Sequence, residues 1–289
     1  MNCKLCTQKA IIDSPSYCKK HFLKYVEQTA KQTIKKYDLL KRSDKVCVAV
    51  SGGKDSITLL YILKQLKYDV EALAIDEGIK NYRDETLAFL KRFCKKHKIK
   101  LIIKSFEKEV GKRLDKIVKT GNPACTICGT FRRSLLNKYT KNYDKIATGH
   151  NLDDEAQAVL MNLLKAQKSL YDRQGPKTGK RKGFTQKIKP LYFLKEKEIM
   201  IYSILMNFDV PFTECPYAKD SFRAYVRDEL NLLETQKPGT KKNILLKYLK
   251  NKSAEKNKLE LSFCPLCGEP CAEEICNSCR IRKTLGLIA

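Results

Sequence analysis

The sequence has no apolar run long enough to cross a bilayer, and its opening Met1-Asn2-Cys3-Lys4 has no signal-peptide pattern. Neither a membrane span nor secretion is expected, and the protein should be cytoplasmic. Acidic residues are scarce, 32 against 58 Lys and Arg, for a formal net charge of +26. So large an excess excludes a balanced surface and favours a polyanionic partner, above all nucleic acid. Also missing is the spacing G-x-x-x-x-G-K followed by Ser or Thr, which excludes the common nucleoside-triphosphatase loop. What is present, 43% hydrophobic residues over 289 positions, suits one sizeable core with small appendages.

Val46 to Val50 (VCVAV) reads as a buried strand and runs directly into Ser51-Gly52-Gly53-Lys54-Asp55-Ser56. Ile57, Leu59, Leu60, Leu63 and Leu66 follow at helical spacing. Strand, Gly-Gly turn and helix start place a nest of backbone N–H groups at a helix N-terminus, where an anion is stabilised. The glycines let the backbone approach a phosphate, Lys54 adds a point charge, and Asp55 offers an oxygen ligand to Mg²⁺. The six residues resemble the pyrophosphate loop of ATP pyrophosphatases, which split ATP between its α and β phosphates and adenylate a substrate.

From Val46 onward strand and helix patterns alternate, predicting an α/β unit with a parallel sheet. Strands are expected at 70–75, 101–103 and 145–148 and a helix at 86–96, after a basic helix at 22–40. Ligands of such sheets sit at the carboxyl ends of the strands, where Asp76-Glu77-Gly78-Ile79 and Gly149 to Glu155 both fall. Asn151 suits the cap of a helix with Asp153 and Asp154 in its first turn. Acids there complement the helix dipole, and beside the loop a second carboxylate can help to hold Mg²⁺. Asp154 is the expected acid, with Asp153 the alternative if the helix is rotated; His150 is taken as site-lining.

Thirteen cysteines in a reducing compartment point to metal ligands, not disulfides. Cys3-x-x-Cys6, eleven residues, then Cys18-x-x-His21 is a structural zinc pattern. Cys264-x-x-Cys267, eight residues, then Cys276-x-x-Cys279 is a Cys₄ zinc ribbon pattern, in which Cys271 can substitute for one ligand. Cys125-x-x-Cys128 has only the distant Cys215 to join it. Three thiolates fit a 4Fe-4S cluster with one iron open, a redox-active or persulfide-carrying set, or plain packing. Cys47 and Cys94 lie within core patterns. Lys177 to Lys189 carries six basic residues in thirteen and no acid, either a solvated loop or, with Arg132 and Arg133, a grip for RNA phosphates. Helices are expected at 220–234 and 241–250, separated by Lys237-Pro-Gly239.

Taken together, SGGKDS, DEGIKNYRD (76–84), CTICGTFRR (125–133), TGHNLDDEA (148–156) and ECPYAKDSFRAYVRDELNLLE (214–234) resemble the archaeal and eukaryotic cytosolic tRNA 2-thiouridine synthetase family over nearly the whole length. The resemblance implies a parallel-sheet ATP pyrophosphatase (PP-loop, adenine-nucleotide α-hydrolase-like) domain at 26–218. A zinc knuckle at 1–25, a helical tRNA-facing segment at 219–256 and a zinc ribbon at 257–289 would flank it. It implies ATP at Ala49, Ser51, Gly52, Gly53, Lys54, Asp55, Ser56, Ile75 and Gly149, and a cluster on Cys125, Cys128 and Cys215. Asp55 and Asp154 would be the catalytic acids, and Lys54 and Arg132 the catalytic cations. Two Zn²⁺, Mg²⁺, tRNA, a sulfur donor (a thiocarboxylated ubiquitin-like protein or free sulfide) and a homodimer complete the expectation. The reaction would adenylate the O2 atom of a tRNA uridine and replace it by sulfur. T-loop thiolases carry Lys where Arg132 stands and lack the DEGIxxYRD string, which favours the wobble uridine; Arg173-Gln-Gly-Pro176 resembles the T-loop branch instead. The alternatives are a non-catalytic zinc RNA-binding protein with a vestigial ATP fold and a ligase activating another acceptor.

Overall fold

The computed structural model describes residues 1–118, 123–211, 213–217, 221–252 and 261–288. A short antiparallel hairpin, β1 (Ile12–Asp13) and β2 (Ser16–Tyr17), precedes α1 (Lys19–Lys36). The central unit then runs β3 (Lys45–Ala49), α2 (Lys54–Gln65), β4 (Asp69–Asp76), α3 (Arg83–Lys96) and β5 (Leu101–Ser105). Next come α4 (Phe106–Val110), α5 (Leu114–Val118), α6 (Ala124–Tyr139), β6 (Lys145–Thr148), α7 (Leu152–Leu164), α8 (Lys168–Tyr171), β7 (Gln186–Ile188) and α9 (Glu196–Leu205). The last elements are α10 (Phe222–Gln236), α11 (Thr240–Asn251), the hairpin β8 (Ser262–Phe263) and β9 (Pro270–Cys271), and α12 (Asn277–Thr284).

β3 to β7 form one parallel sheet in the order β5-β4-β3-β6-β7. The order reverses between β3 and β6, so the loops leaving those two strands open a crevice at their carboxyl ends. Successive strand residues face opposite sides. Val46, Val48, Val70, Ala72 and Ala74 join the core beneath α1, α2, α3 and α9, whereas Cys47, Leu73 and Ile75 join the core beneath α4, α5 and α6. α2 is buried on nearly every side, which suits its run of Ile and Leu. Full burial of a side chain such as Leu60 contributes about 1.5–3 kcal/mol.

A third core joins α7 to α10 and α11. The expected helix start at Asp220 lies outside the described residues, as do parts of the segments 219–256 and 257–289. The basic stretch 177–189 is not an open loop. Lys177 bridges Ile188, Arg181 bridges Phe184, and Gln186–Ile188 is the edge strand β7. Only Ile188 of that strand is buried, so its apolar pattern was too short to stand out against the lysines. Cys47 and Cys94 are core residues. Among the described residues no helix is long and apolar enough to cross a membrane.

Candidate active site

The loop after β3 is shaped by two glycines with different duties. Gly52 has φ +90°, and a Cβ there would stand 2.9 Å from the Thr86 carbonyl oxygen, so only glycine fits. Gly53 is under neither constraint: its φ is −82° and a Cβ would come no nearer than 3.5 Å to Ser51 Oγ. Its missing side chain leaves the N-terminus of α2 uncovered, a cradle that fits a phosphate. Ser51 N–H donates to Ser56 Oγ (3.2 Å) and Ser56 Oγ donates to the Gly53 carbonyl (3.0 Å), which closes the turn.

The loop after β6 is locked against it. A Cβ on Gly149 would stand 2.9 Å from the Asp55 carbonyl carbon and the Ser56 nitrogen. Asn151 caps α7 in a capping box with Asp154, accepting from its N–H at 3.0 Å. The same side chain donates to Asp55 Oδ1 at 3.0 Å, tying the two loops together.

Between them lies a cavity of about 330 Å³. Ala49, Ser51, Asp55, Ser56, Ile75, Arg132, Gly149, His150 and Asp154, all anticipated from the sequence, line it. Lys54 stands at its side, with its ammonium 2.7 Å from Glu196 and 3.2 Å from Asp55. Burial, then repulsion from Asp55, pushes the Asp154 carboxyl up to about 6, against relief from Arg223 at 3.4 Å. Burial likewise raises Asp55. Two part-buried acids whose carboxyls are both raised, Asp154 in part by Asp55, are a donor set a divalent cation would relieve. Asp153, the alternative, is turned away. Its Oδ1 holds Lys241 Nζ at 2.5 Å and its Oδ2 accepts from the Glu196 N–H at 2.7 Å, so it is a structural acid. Burial, then Lys189, Arg223, Lys187 and Arg132, hold the His150 imidazole far below its usual value, and its Nδ1 lies 2.9 Å from Thr148 Oγ1.

Glu77, Arg83, Glu196 and Arg223 were not singled out from the sequence. Arg83 is buried, 2.7 Å from Glu77 Oε2, and donates to the carbonyls of Ile75 and Ser51, so it joins the ends of β3 and β4. Glu77 Oε1 also faces Arg132 at 3.6 Å. The DEGIKNYRD string carried the signal for Glu77 and Arg83, but a lone charged residue does not announce its partner.

α6 has three faces. Ile127, Phe131 and Leu135 pack on the sheet, Arg132 and Leu136 line the cavity with Cys128 one turn before Arg132, and Thr130, Arg133, Ser134 and Asn137 face away from it. Arg132 and Arg133, read together as a phosphate grip, therefore diverge. Cys125 and Cys128 lie in the first two turns of α6, and Cys215 approaches from the segment after α9. Cys125 Sγ donates to the Tyr217 carbonyl (3.2 Å), and Tyr217 O–H donates to Asp115 (2.8 Å). Burial, then Glu77, pushes the Cys128 thiol up to about 12, and burial raises Cys215. A persulfide carrier needs a ready thiolate, which this setting opposes; a bound metal would displace the proton outright.

Cys3, Cys6, Cys18 and His21 have ligand atoms within 4.8 Å of one another, as do Cys264, Cys267, Cys276 and Cys279. Both sets can hold a single metal ion. Cys271 is not in the second set; its thiol donates to the Glu273 carbonyl at 2.9 Å. Among the described residues the Cys125, Cys128 and Cys215 thiols do not form a group that tight. Thiolates of an iron–sulfur cluster bind different irons and need not converge on one point.

Residues 22–233 match the PP-loop domain family ATP_bind_3. The chain is 36% identical over 289 residues to the tRNA-5-methyluridine(54) 2-sulfurtransferase of Pyrococcus horikoshii, covering 97% of this chain and 93% of that one. It is 35% identical over 301 residues to cytoplasmic tRNA 2-thiolation protein 1 of Dictyostelium discoideum, covering 98% and 83%. The structure of the U34-tRNA thiolase NcsA from Methanococcus maripaludis with its 4Fe-4S cluster superposes with a TM-score of 0.85 at 33% identity, over 100% of this chain and 98% of that one.

Proposed function

The chain belongs to the PP-loop family of tRNA 2-thiolation enzymes, and from that premise we propose that it is an ATP-dependent tRNA-uridine 2-sulfurtransferase acting on the wobble uridine. The observation that carries the reading is α6. At helical spacing i, i+4 it sets Cys128 beside Arg132, so the thiol site and the wall of the ATP cavity share one rigid element.

The N–H groups of the Ser51–Ser56 loop and the N-terminus of α2 hold the β and γ phosphates of ATP. Asp55 and Asp154 would hold Mg²⁺, which when bound screens the triphosphate charge. The uracil O2 atom attacks the α phosphorus, the bond to the β-phosphate oxygen breaks, and pyrophosphate leaves. Lys54 and Arg132 stabilise the charge on the phosphates through this step. Cys125, Cys128 and Cys215 would hold a 4Fe-4S cluster, which when bound leaves one iron free of protein ligands and supplies a place for sulfur. Sulfur then adds at C2, the C2–O2 bond breaks, and AMP leaves with the oxygen. Sulfur enters at the oxidation level of sulfide, so no net redox change is needed; a thiocarboxylated ubiquitin-like protein or free sulfide would supply it. The two terminal sets would hold structural Zn²⁺.

The wobble assignment rests on the superposition with the U34 enzyme, and on Glu77 and Arg83 of DEGIKNYRD forming the wall beside Arg132. A wobble base already lies in a single-stranded loop and costs little to extrude. The T-loop reading is favoured by the Pyrococcus relative. Anaerobic thiolation of tRNA transcripts, followed by nuclease digestion and mass spectrometry, separates the two. Sulfur in the anticodon fragment is expected, and sulfur confined to the T-loop fragment would refute the wobble assignment. Asp55→Ala should lower tRNA-dependent pyrophosphate release about 10³-fold; normal release would remove Asp55 from the chemistry.

A further inference from the structure

A second cavity, of about 410 Å³, lies on the far side of α6, enclosed by that helix, β7 and the C-terminal cysteine module. Thr130 and Ser134 present hydroxyls there, and Arg133 and Lys187 present cations. The two acids in its wall are already engaged. Glu269 pairs with Lys141 at 2.6 Å and accepts from Asn137 Nδ2 at 2.6 Å, and Glu273 pairs with Arg280. Lys187, on β7, contrasts with Lys189 just past the end of that strand. Lys189 meets Glu155 at 2.7 Å, but Lys187 makes no ion pair among the described residues and has Arg133 and Lys189 for company. Burial, then those two cations, press its ammonium down to about 8.

The helix is also cut away to make room. A Cβ on Gly129 would stand 2.9 Å from Arg133 Nη1. Glycine in a helix interior costs about 1 kcal/mol relative to alanine, and here it leaves the guanidinium space to fold back along α6. The cavity lies close to the reaction. Arg132 and Arg133 are consecutive, one on each cavity, and Lys187 acts electrostatically on His150 in the wall of the ATP cavity.

We propose that this cavity is a seat for a backbone phosphate of the substrate RNA close to the target nucleotide, with Arg133 and Lys187 as its charge-bearing donors. It rests on the reading of the protein as a tRNA-modifying enzyme. A phosphodiester brings the anion that the two cations lack and can accept from the Ser134 hydroxyl; the Thr130 hydroxyl donates to the Thr126 carbonyl at 2.9 Å and lies 3.4 Å from Arg133 Nη2 as its acceptor. Such a contact positions the RNA without reading its sequence.

The test is filter binding of unmodified tRNA transcripts to the full-length protein across a salt series, with ATP affinity measured in parallel. The Arg133→Gln/Lys187→Gln double variant should lose about 5- to 20-fold in tRNA affinity. Its log-affinity against log-salt slope should flatten by roughly 0.7–0.9 per contact removed, with ATP affinity unchanged. Gly129→Ala, which displaces only the far end of a flexible side chain, should weaken tRNA binding while thermal stability holds or rises. Wild-type affinity and slope in the double variant would overturn the seat. So would weakened binding of an acidic protein sulfur donor with tRNA binding intact. A wild-type protein that neither binds nor thiolates tRNA would overturn the enzyme reading and the seat together.

Discussion

The terminal cysteine sets and the central three thiols bring one residue type together in opposite ways. Each terminal set gathers four ligand atoms within 4.8 Å from a stretch of about twenty residues or fewer, around hairpins too short to have a core of their own. The central thiols come from the start of α6 and from a segment some ninety residues later, and Cys128 and Cys215 rest against the core beneath α4, α5 and α6. Locally spaced ligands let the metal make the structure. Ligands brought together by a fold let the structure wait for the metal, and leave it free to do chemistry.

Cys215→Ser tests the central half of that contrast and should have the largest effect. Thiolation is expected to fall by at least about 10³-fold and iron to be lost, while ATP and tRNA binding and the melting temperature stay near wild type. Full iron content with activity intact would break the contrast. Arg132→Ala, one helical turn further along α6, should lower thiolation about 10²-fold with iron retained; loss of iron in this variant would mean that Arg132 supports the thiol site instead of the phosphates.

Cys6→Ala and Cys267→Ala test the other half. Each should lose one metal ion, unfold its own module and weaken tRNA binding about 10-fold, with ATP binding unaffected. Two metal ions per chain in both variants would show that the ligand sets are misread. The smallest effect sharpens the difference between adjacent acids. Asp154 titrates at about 6 in the fold against 3.8 in a free chain, so the folded state holds that proton more tightly and its ionisation costs stability as pH rises between those values. Without divalent cations, Asp154→Asn should raise the melting temperature by about 2 °C at pH 7.5 and leave it unchanged at pH 4. Asp153→Asn, which strips Lys241 of its buried partner, should lower it instead. Equal shifts in both would mean the two acids share one environment.

Much of this molecule was readable along the chain. The strand-loop-helix at 46–66, the cap at Asn151 and both terminal ligand sets are encoded in spacings of a few residues, and each forms where expected. The edge strand β7 was hidden because a three-residue strand with one buried side chain leaves no periodic trace. Arg83 and Glu77 stood inside a string already singled out, but their roles depend on each other and on the carbonyls of two strands.

The sequence alone determined the phosphate loop, the parallel α/β order and the short-range metal sets, since each depends on backbone propensity or on ligands within one turn or hairpin. Only the tertiary structure decided that Asp154 faces the cavity while Asp153 faces Lys241, and that Arg132 and Arg133 serve different cavities. Neighbours on a helix point about 100° apart. Which of them meets the site is settled by how the helix is rotated against the sheet, and that rotation is fixed by the packing of Ile127, Phe131 and Leu135 for α6 and of Leu152, Ala156 and Val159 for α7.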